Sequence, residues 1–493
     1  MSAKRPNFVL ITADQWRADT LGMLSNEHPV LTPHLDQLAD EGVRFSHAWA
    51  DCPICMPQRA TLLTGKAGAT LGVTTNFQHR TPVDAGRSLP SLLRNLGEYQ
   101  SVWIGKTHVV PERARFGFDE VVLHPDDYVN RLEEAGYGGF FRGHGIGGNE
   151  VVPAPNPLPE ALHSSRWITD RAVEFMYRRD PETPFFLWII YEAPHPPFDP
   201  PEAYVRLYGN QSIAPPRPSM WQAADEPVAF RRRRIAHNWD RLSPDWVAET
   251  RRYYYAHQTF IDYQLGRLFG ELKSRGLWDE TAVMFHSDHG EHLGDYGLFG
   301  KTTFLRGSGD VPMVIKPPVG KSWTPGSVCD APVQNADIPV TIADLAGIGP
   351  LDTPDGISLT GHLAQPGDAS HRERTVFGEF GGPDGSATAI GDELRYIWYP
   401  EGGVEQILPA FGTDSVTNTM ATLSAEQRAT AEALRDRLAT WLTERESPTA
   451  SDGALLARPA ENLTADRVQA HRALNPMAWR GPIRYGKGYG GGY

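Results

Sequence analysis

The sequence predicts an α/β protein built on a large, mostly parallel sheet flanked by helices, followed by a smaller C-terminal antiparallel sheet with one helix. Three observations carry this. Continuous apolar runs recur at Asn7 to Ala13, Ser101 to Ile104, Phe185 to Tyr191 and Thr281 to Ser287, as expected of strands buried on both faces. Helical patterns lie between them, and strands alternating with helices imply a parallel sheet covered on both sides. The composition then breaks around Gln365-Pro366-Gly367, and shorter strand-like pieces follow.

The first strand ends in Asp14-Gln15. Helices are expected over Thr32 to Glu41 and over Ser88 to Leu96, where Leu89, Leu92, Leu93 and Leu96 share one face. The longest helical pattern runs from Trp246 to Arg275. Between Gly145 and Ala236 the chain is rich in Pro, Gly and Arg, apart from a helix and strand between Ser164 and Tyr191. Most of that stretch reads as substrate-facing loops or an oligomer contact. Beyond the break, strands are expected at Arg374 to Glu379, Ser386 to Ile390 and Leu394 to Tyr399, and a helix at Ser424 to Arg445. The division is therefore a catalytic domain over 1–365 and a smaller α+β subdomain over 366–493, whose tail from Gly486 to Tyr493 is expected to be flexible unless a partner subunit holds it.

Composition narrows the function. Of 493 residues, 40% are hydrophobic and 22% charged, ordinary values for a globular protein. A net charge of -13 argues against a nucleic-acid binder resting on a basic surface. It leaves anionic substrates open, because a cleft can carry a local sign opposite to the whole. Three cysteines cannot staple a fold of this size, which fits a reducing compartment. No signal-peptide core follows Met1 to Pro6, and no apolar run is long enough for a bilayer. A cytoplasmic enzyme is expected, with no membrane partner.

Residues 52–65 read Cys-Pro-Ile-Cys-Met-Pro-Gln-Arg-Ala-Thr-Leu-Leu-Thr-Gly. Pro57 suits the first position of a helix and Gly65 its end. Cys55 then stands at the helix N-terminus, where unpaired N–H groups favour negative charge, lower a thiol pKa and accept an oxyanion. Arg59, four residues on, projects from the same face. Three readings compete: a redox or zinc CxxC pair, an inert buried thiol, and a nucleophile. No second CxxC or His pair completes a zinc set.

Cys55-Met56-Pro57-Gln58-Arg59, with Leu63-Thr64-Gly65, resembles the sulfatase signature C-x-P-x-R-x-x-x-L-T-G. Met56 and Gln58 depart from the small residue and the serine usual there. Four further elements follow in family order: Asp14-Gln15, Gly105-Lys106-Thr107-His108, Pro194-His195-Pro196-Pro197-Phe198, and Asp288-His289 with Lys301 behind it. The Gln and His variants resemble the branch of choline sulfatases and phosphonate monoester hydrolases within the alkaline-phosphatase superfamily.

The resemblance implies that Cys55 is converted to formylglycine by a formylglycine-generating enzyme, and that one divalent metal is held by Asp14, Gln15, the modified Cys55, Asp288 and His289. An all-oxygen set points to Ca²⁺, and His289 leaves Mn²⁺ open. It also implies attack on a sulfate monoester through a covalent sulfo-enzyme, with Arg59, Lys106 and Lys301 countering developing charge. His195 then serves the leaving alcohol and His108 takes the proton that releases sulfate. Asn76, Lys106, His195 and Lys301 are expected to contact a small sulfated substrate. The alternative keeps the site but hydrolyses phosphonate monoesters or phosphodiesters; Lys106 and His108 favour sulfate. Loops over 140–240, with Tyr137, Phe140, Phe141 and Trp221, are expected to face the leaving group, and Arg231 to Arg234 form a candidate anion contact. The Tyr/Gly tail and Pro-rich loops suggest a dimer or tetramer.

Overall fold

The structure, a computed structural model, describes residues 5–24, 27–76, 79–138, 141–221, 225–382, 384–412, 414 and 420–474; the tail and Phe140 lie outside them. Eight strands form the main sheet: β1 (Asn7–Ala13), β2 (Val43–Phe45), β3 (Gln100–Lys106), β4 (Glu120–His124), β5 (Phe185–Tyr191), β6 (Thr281–His286), β7 (Met313–Lys316) and β8 (Ser327–Cys329). Their order is β4-β3-β5-β1-β6-β7-β2-β8. Every pairing is parallel except those of β7, which runs antiparallel to both β6 and β2. The sheet is thus mostly parallel, as its uninterrupted apolar runs predict.

Strand β1 is central and buried throughout. Its side chains alternate between two cores, Phe8 and Leu10 on one face and Val9, Ile11 and Ala13 on the other, as a period of two requires. The first face is covered by α3 (Leu89–Gly97) and α7 (Asp337–Ala346), the second by α1 (Pro33–Glu41), α4 (Ser164–Arg178) and α6 (Pro244–Ser274). Serine caps begin two of these helices: Ser88 Oγ accepts from Ser91 N at 3.4 Å and Ser243 Oγ from Trp246 N at 3.2 Å. Such caps contribute about 1 kcal/mol each.

The smaller sheet is antiparallel, in the order β9 (Val376–Phe380), β10 (Ser386–Ile390), β11 (Leu394–Tyr399), β12 (Val404–Pro409). Helix α8 (Ala425–Thr443) lays Leu434, Leu438 and Leu442 against Ala387, Ala389 and Tyr396, and a Ser424/Gln427 capping box begins it. This unit abuts the segment that carries Cys55: Glu379 N donates to Asp51 O at 2.9 Å and Gly381 N to Thr74 O at 3.0 Å. Among the described residues no helix is long and apolar enough to cross a membrane.

Candidate active site

The site sits beyond the carboxyl ends of the central strands, where open α/β sheets bind ligands. Residues Thr12 of β1 and His286 of β6 are register partners, so Asp14 and Asp288 emerge side by side. Gln15 turns into the left-handed region at φ 73°, and its backbone N–H donates to Asp288 Oδ1 at 3.1 Å. On the other side, Gly105 near the end of β3 has φ 109°, and a Cβ there would lie 2.0 Å from Ile190 O. Only glycine lets β3 approach β5 so closely, and this places Lys106 at the site.

Helix α2 (Cys55–Thr64) supplies the nucleophile candidate. The helix begins at Cys55 itself, so Pro57 occupies the third helical position and not the first. Proline is harmless to the helix there, because N–H groups of the first turn have no intrahelical acceptor. Gly65 closes the helix at φ 75° with its N–H on Thr61 O at 2.7 Å.

Around Cys55 Sγ stand His289 Nε2 at 3.1 Å, Lys301 Nζ at 3.2 Å and Asp14 Oδ1 at 3.8 Å. Asp14 Oδ2 meets Lys106 Nζ at 2.8 Å and Arg59 Nη2 at 3.2 Å. Arg59 Nη2 also lies 3.0 Å from Asp288 Oδ2, and Gln15 Oε1 accepts from Lys301 Nζ at 2.9 Å. Asp14, Cys55, Asp288 and His289 are buried, with one donor atom from each inside a 4.8 Å group.

Charge is concentrated here. Burial and Asp14 push the Cys55 thiol up, but Lys301, Lys106 and His289 together hold it well below the usual thiol range. Burial likewise opposes Asp14, whose carboxyl is held well below its ordinary value by Lys106, His195, Lys301 and His289. Asp288 goes the other way: burial, then the neighbouring Asp14, raise it. Burial, Lys106 and Lys301 push His195 well down, leaving a neutral imidazole. Two features fit a cation and an oxyanion. The buried carboxylates of Asp14 and Asp288 converge with the His289 imidazole and Cys55 Sγ, and Arg59 Nε and Nη1 are buried without an acceptor among the described residues.

A family model for sulfatases matches residues 6–348. The chain belongs to the sulfatase family. The arylsulfatase of Clostridium perfringens is 31% identical over 435 residues, covering 82% of this chain and 87% of its own. The multifunctional alkaline phosphatase superfamily protein PehA of Trinickia caryophylli is 31% identical over 405 residues, covering 73% and 77%. Among solved structures, the phosphonate monoester hydrolase of Agrobacterium radiobacter superposes with a TM-score of 0.73 at 25% identity, covering 90% of this chain and 96% of its own.

Within this sulfatase the two signature departures have structural partners. Gln58 is buried and spans a gap: its Nε2 donates to Asp51 Oδ1 at 2.7 Å and Cys52 O at 3.0 Å, while its Oε1 accepts from Asn335 Nδ2 at 2.8 Å. Met56 is buried, and its N–H donates to Asn76 Oδ1 at 3.0 Å. Asn76 therefore holds an N–H of the first turn of the nucleophile helix. Cys52 is a buried thiol whose Sγ reaches Thr74 O at 3.5 Å, apart from the charged group.

His195 lies in the loop after β5, with Nδ1 3.0 Å from Pro196 O. His108 follows Lys106 by two residues, half-buried and in a left-handed conformation at φ 48°. Sequence reasoning missed the brace on the His195 loop. Arg142 is fully buried and pairs with Glu192 at 3.0 Å and Asp199 at 2.6 Å. It also donates to Pro197 O at 2.9 Å and His195 O at 3.4 Å. Lys106 lies 4.0 Å from the same Glu192, so brace and site share a carboxylate. Glu291 was missed too: it accepts from Gln15 Nε2, and from Gly300 N at 2.6 Å, one residue before Lys301. Its only sequence signal is its place three residues after Asp288. The aromatic loop expectation is redistributed: Trp221 packs edge-on against Phe230 at 5.1 Å, and Tyr137 is exposed.

Proposed function

We propose that the chain hydrolyses sulfate monoesters through a nucleophile made from Cys55. The carrying observation is Cys55 Sγ at the start of α2, 3.1 Å from His289 Nε2 and 3.2 Å from Lys301 Nζ. The donor set suits one divalent cation held by Asp14, Gln15, Asp288, His289 and the group at Cys55, with Ca²⁺ or Mn²⁺ as the ion. Such a cation lowers the pKa of a bound hydroxyl and offsets charge on the sulfuryl oxygens. Formylglycine at residue 55 supplies a hydrated aldehyde, whose two hydroxyls serve in turn for attack and for release of sulfate.

The remaining work falls to the side chains. Arg59 directs its unpartnered Nε and Nη1 donors to the oxyanion, and Lys106 and Lys301 add two positive charges at fixed positions. His195, held neutral by burial and the two lysines, contacts the ester oxygen beside Lys301. His108 accepts the proton whose loss releases sulfate. We also assign residues 1–365 to a catalytic domain and 366–493 to a smaller one that buttresses it.

A second reading, phosphonate monoester or phosphodiester hydrolysis at the same site, draws support from the likeness to a phosphonate monoester hydrolase. Both substrate types carry one negative charge around a tetrahedral centre. The test is kcat/KM for an aryl sulfate against an aryl phosphonate, using protein co-expressed with a formylglycine-generating enzyme. A higher value for the sulfate is expected; a higher value for the phosphonate would reverse the assignment.

A further inference from the structure

The four consecutive arginines of α5 (Val228–Ala236) have different surroundings. Arg232 is held by Asp384, by Glu401 at 2.8 Å and by Glu461 at 3.2 Å. Arg234 pairs with Glu226, and Arg231 faces solvent. Arg233 turns to the loop that carries Lys301. Its Nη1 donates to Lys301 O at 2.6 Å and to the Thr302 hydroxyl. The next link is short, since Lys301 Nζ reaches Cys55 Sγ at 3.2 Å and Thr302 N donates to Pro53 O at 3.0 Å.

Both of these bonds use Nη1. The Nε–Nη2 edge of Arg233 has no acceptor and no carboxylate at ion-pair distance among the described residues. Burial pushes this guanidinium below the ordinary arginine range, with Asp384 and Glu291 opposing from beyond contact. Part of its surface nevertheless remains open. Trp239 backs it, with the ring centroid 5.8 Å from Cζ, and His237 stacks on Trp239 at 4.5 Å. Burial and Arg233 push His237 down to about 4, so that imidazole adds no charge at neutral pH. An arginine cannot shed its proton to relieve desolvation, and a half-buried one is normally matched by a carboxylate. In a chain of net charge -13, no acid among the described residues reaches this one.

We infer that Arg233 forms a second anion subsite on the Lys301 side of the nucleophile, and that the preferred substrate is a sulfate ester whose alcohol bears its own carboxylate or sulfo group. The unpaired edge offers two parallel N–H donors, the geometry that grips a carboxylate or sulfo group in bidentate fashion. The inference rests on the sulfatase reading above, and its test is kept separate from that reading.

The experiment compares 4-carboxyphenyl sulfate with its methyl ester, a pair of similar shape differing in one charge, and adds 4-sulfophenyl sulfate as a third arm. Binding to full-length Cys55→Ala protein is measured by calorimetry, and kcat/KM is measured on the active enzyme. The acid is expected to be favoured over the ester roughly tenfold, as a charge-assisted contact of about 1.5 kcal/mol gives. Arg233→Gln brings the ratio near one, and Arg233→Lys keeps part of it, since charge survives without the planar fork. A preference for the sulfo compound as well as the acid assigns a general anion site; a preference for the acid alone assigns a carboxylate site. Equal binding of acid and ester by the unaltered site, or an Arg233→Gln protein that loses both equally, would overturn the subsite and leave Arg233 as a clamp on Lys301. Hydrolysis of neither sulfate despite selective binding would instead overturn the sulfatase reading and leave the subsite standing.

Discussion

The floor of the site and its rim are built by opposite means. The floor consists of Asp14, Gln15, Cys55, Arg59, Asp288 and His289, all essentially without solvent exposure. They are fixed by strand ends and the first turn of a helix, so backbone geometry sets their positions. The rim is assembled from segments far apart in sequence: Arg232 of α5 joins Asp384, Glu401 and Glu461, and Arg233 joins Lys301 and Thr302. A floor made of short motifs can stay constant while pairings on the rim change. On the proposed reading the chemistry belongs to the floor, and discrimination between alcohols belongs to the rim.

The largest effect that separates the two regions is expected from Cys55→Ala. Turnover should fall by about 10⁴-fold or more, as loss of a nucleophile does, while the thermal midpoint stays close to that of the parent. Activity within tenfold of the parent would break the comparison at its centre. Chelation comes next: exhaustive treatment with EDTA should lower kcat/KM by on the order of 10³-fold, restored by Ca²⁺ or Mn²⁺, because two buried carboxylates and an imidazole are arranged for a cation. Full activity in metal-free protein, verified by elemental analysis, would contradict this.

Arg142→Met sharpens the boundary, since Arg142 braces the loop of His195 from below. Removing one partner from a buried ion pair costs about 3–5 kcal/mol, so urea denaturation should show a loss of that size. A change under 1 kcal/mol would mean that Glu192 and Asp199 are satisfied without it. The smallest effect is expected at Arg232→Met on the rim. With Glu401 buried but Asp384 and Glu461 partly solvated, it should cost roughly 2 kcal/mol of stability, between an exposed pair and a fully buried one, and raise KM a few-fold with kcat nearly constant. A collapse of kcat there would show that rim and floor are not separable.

The floor was legible in the sequence because its residues either sit in contiguous motifs or end apolar runs. Asp14 after β1 and Asp288 after β6 needed only the strand assignment to be brought together. The adjacent strands β1, β3, β5 and β6 were legible for the same reason, but β2, β4, β7 and β8, short strands of three to five residues, were not, and β7 carries no sign of its reversed direction. The brace was not legible. Arg142 lies 50 residues from Glu192 and 57 from Asp199, in a glycine-rich stretch with no periodicity to read. Nor was the split among Arg231 to Arg234, because identical side chains in a row acquire different partners only through tertiary packing. Gln58 illustrates the same limit: its departure from the usual serine makes sense only beside Asp51 and Asn335.

The central claim is that Cys55, not Cys52, becomes the nucleophile. Its most direct test is the mass of the tryptic peptide Phe45 to Arg59 from protein made with a formylglycine-generating enzyme. The account predicts a peptide in which Cys55 has become an aldehyde and Cys52 keeps its thiol. A fully active protein whose peptide carries two intact thiols would contradict it.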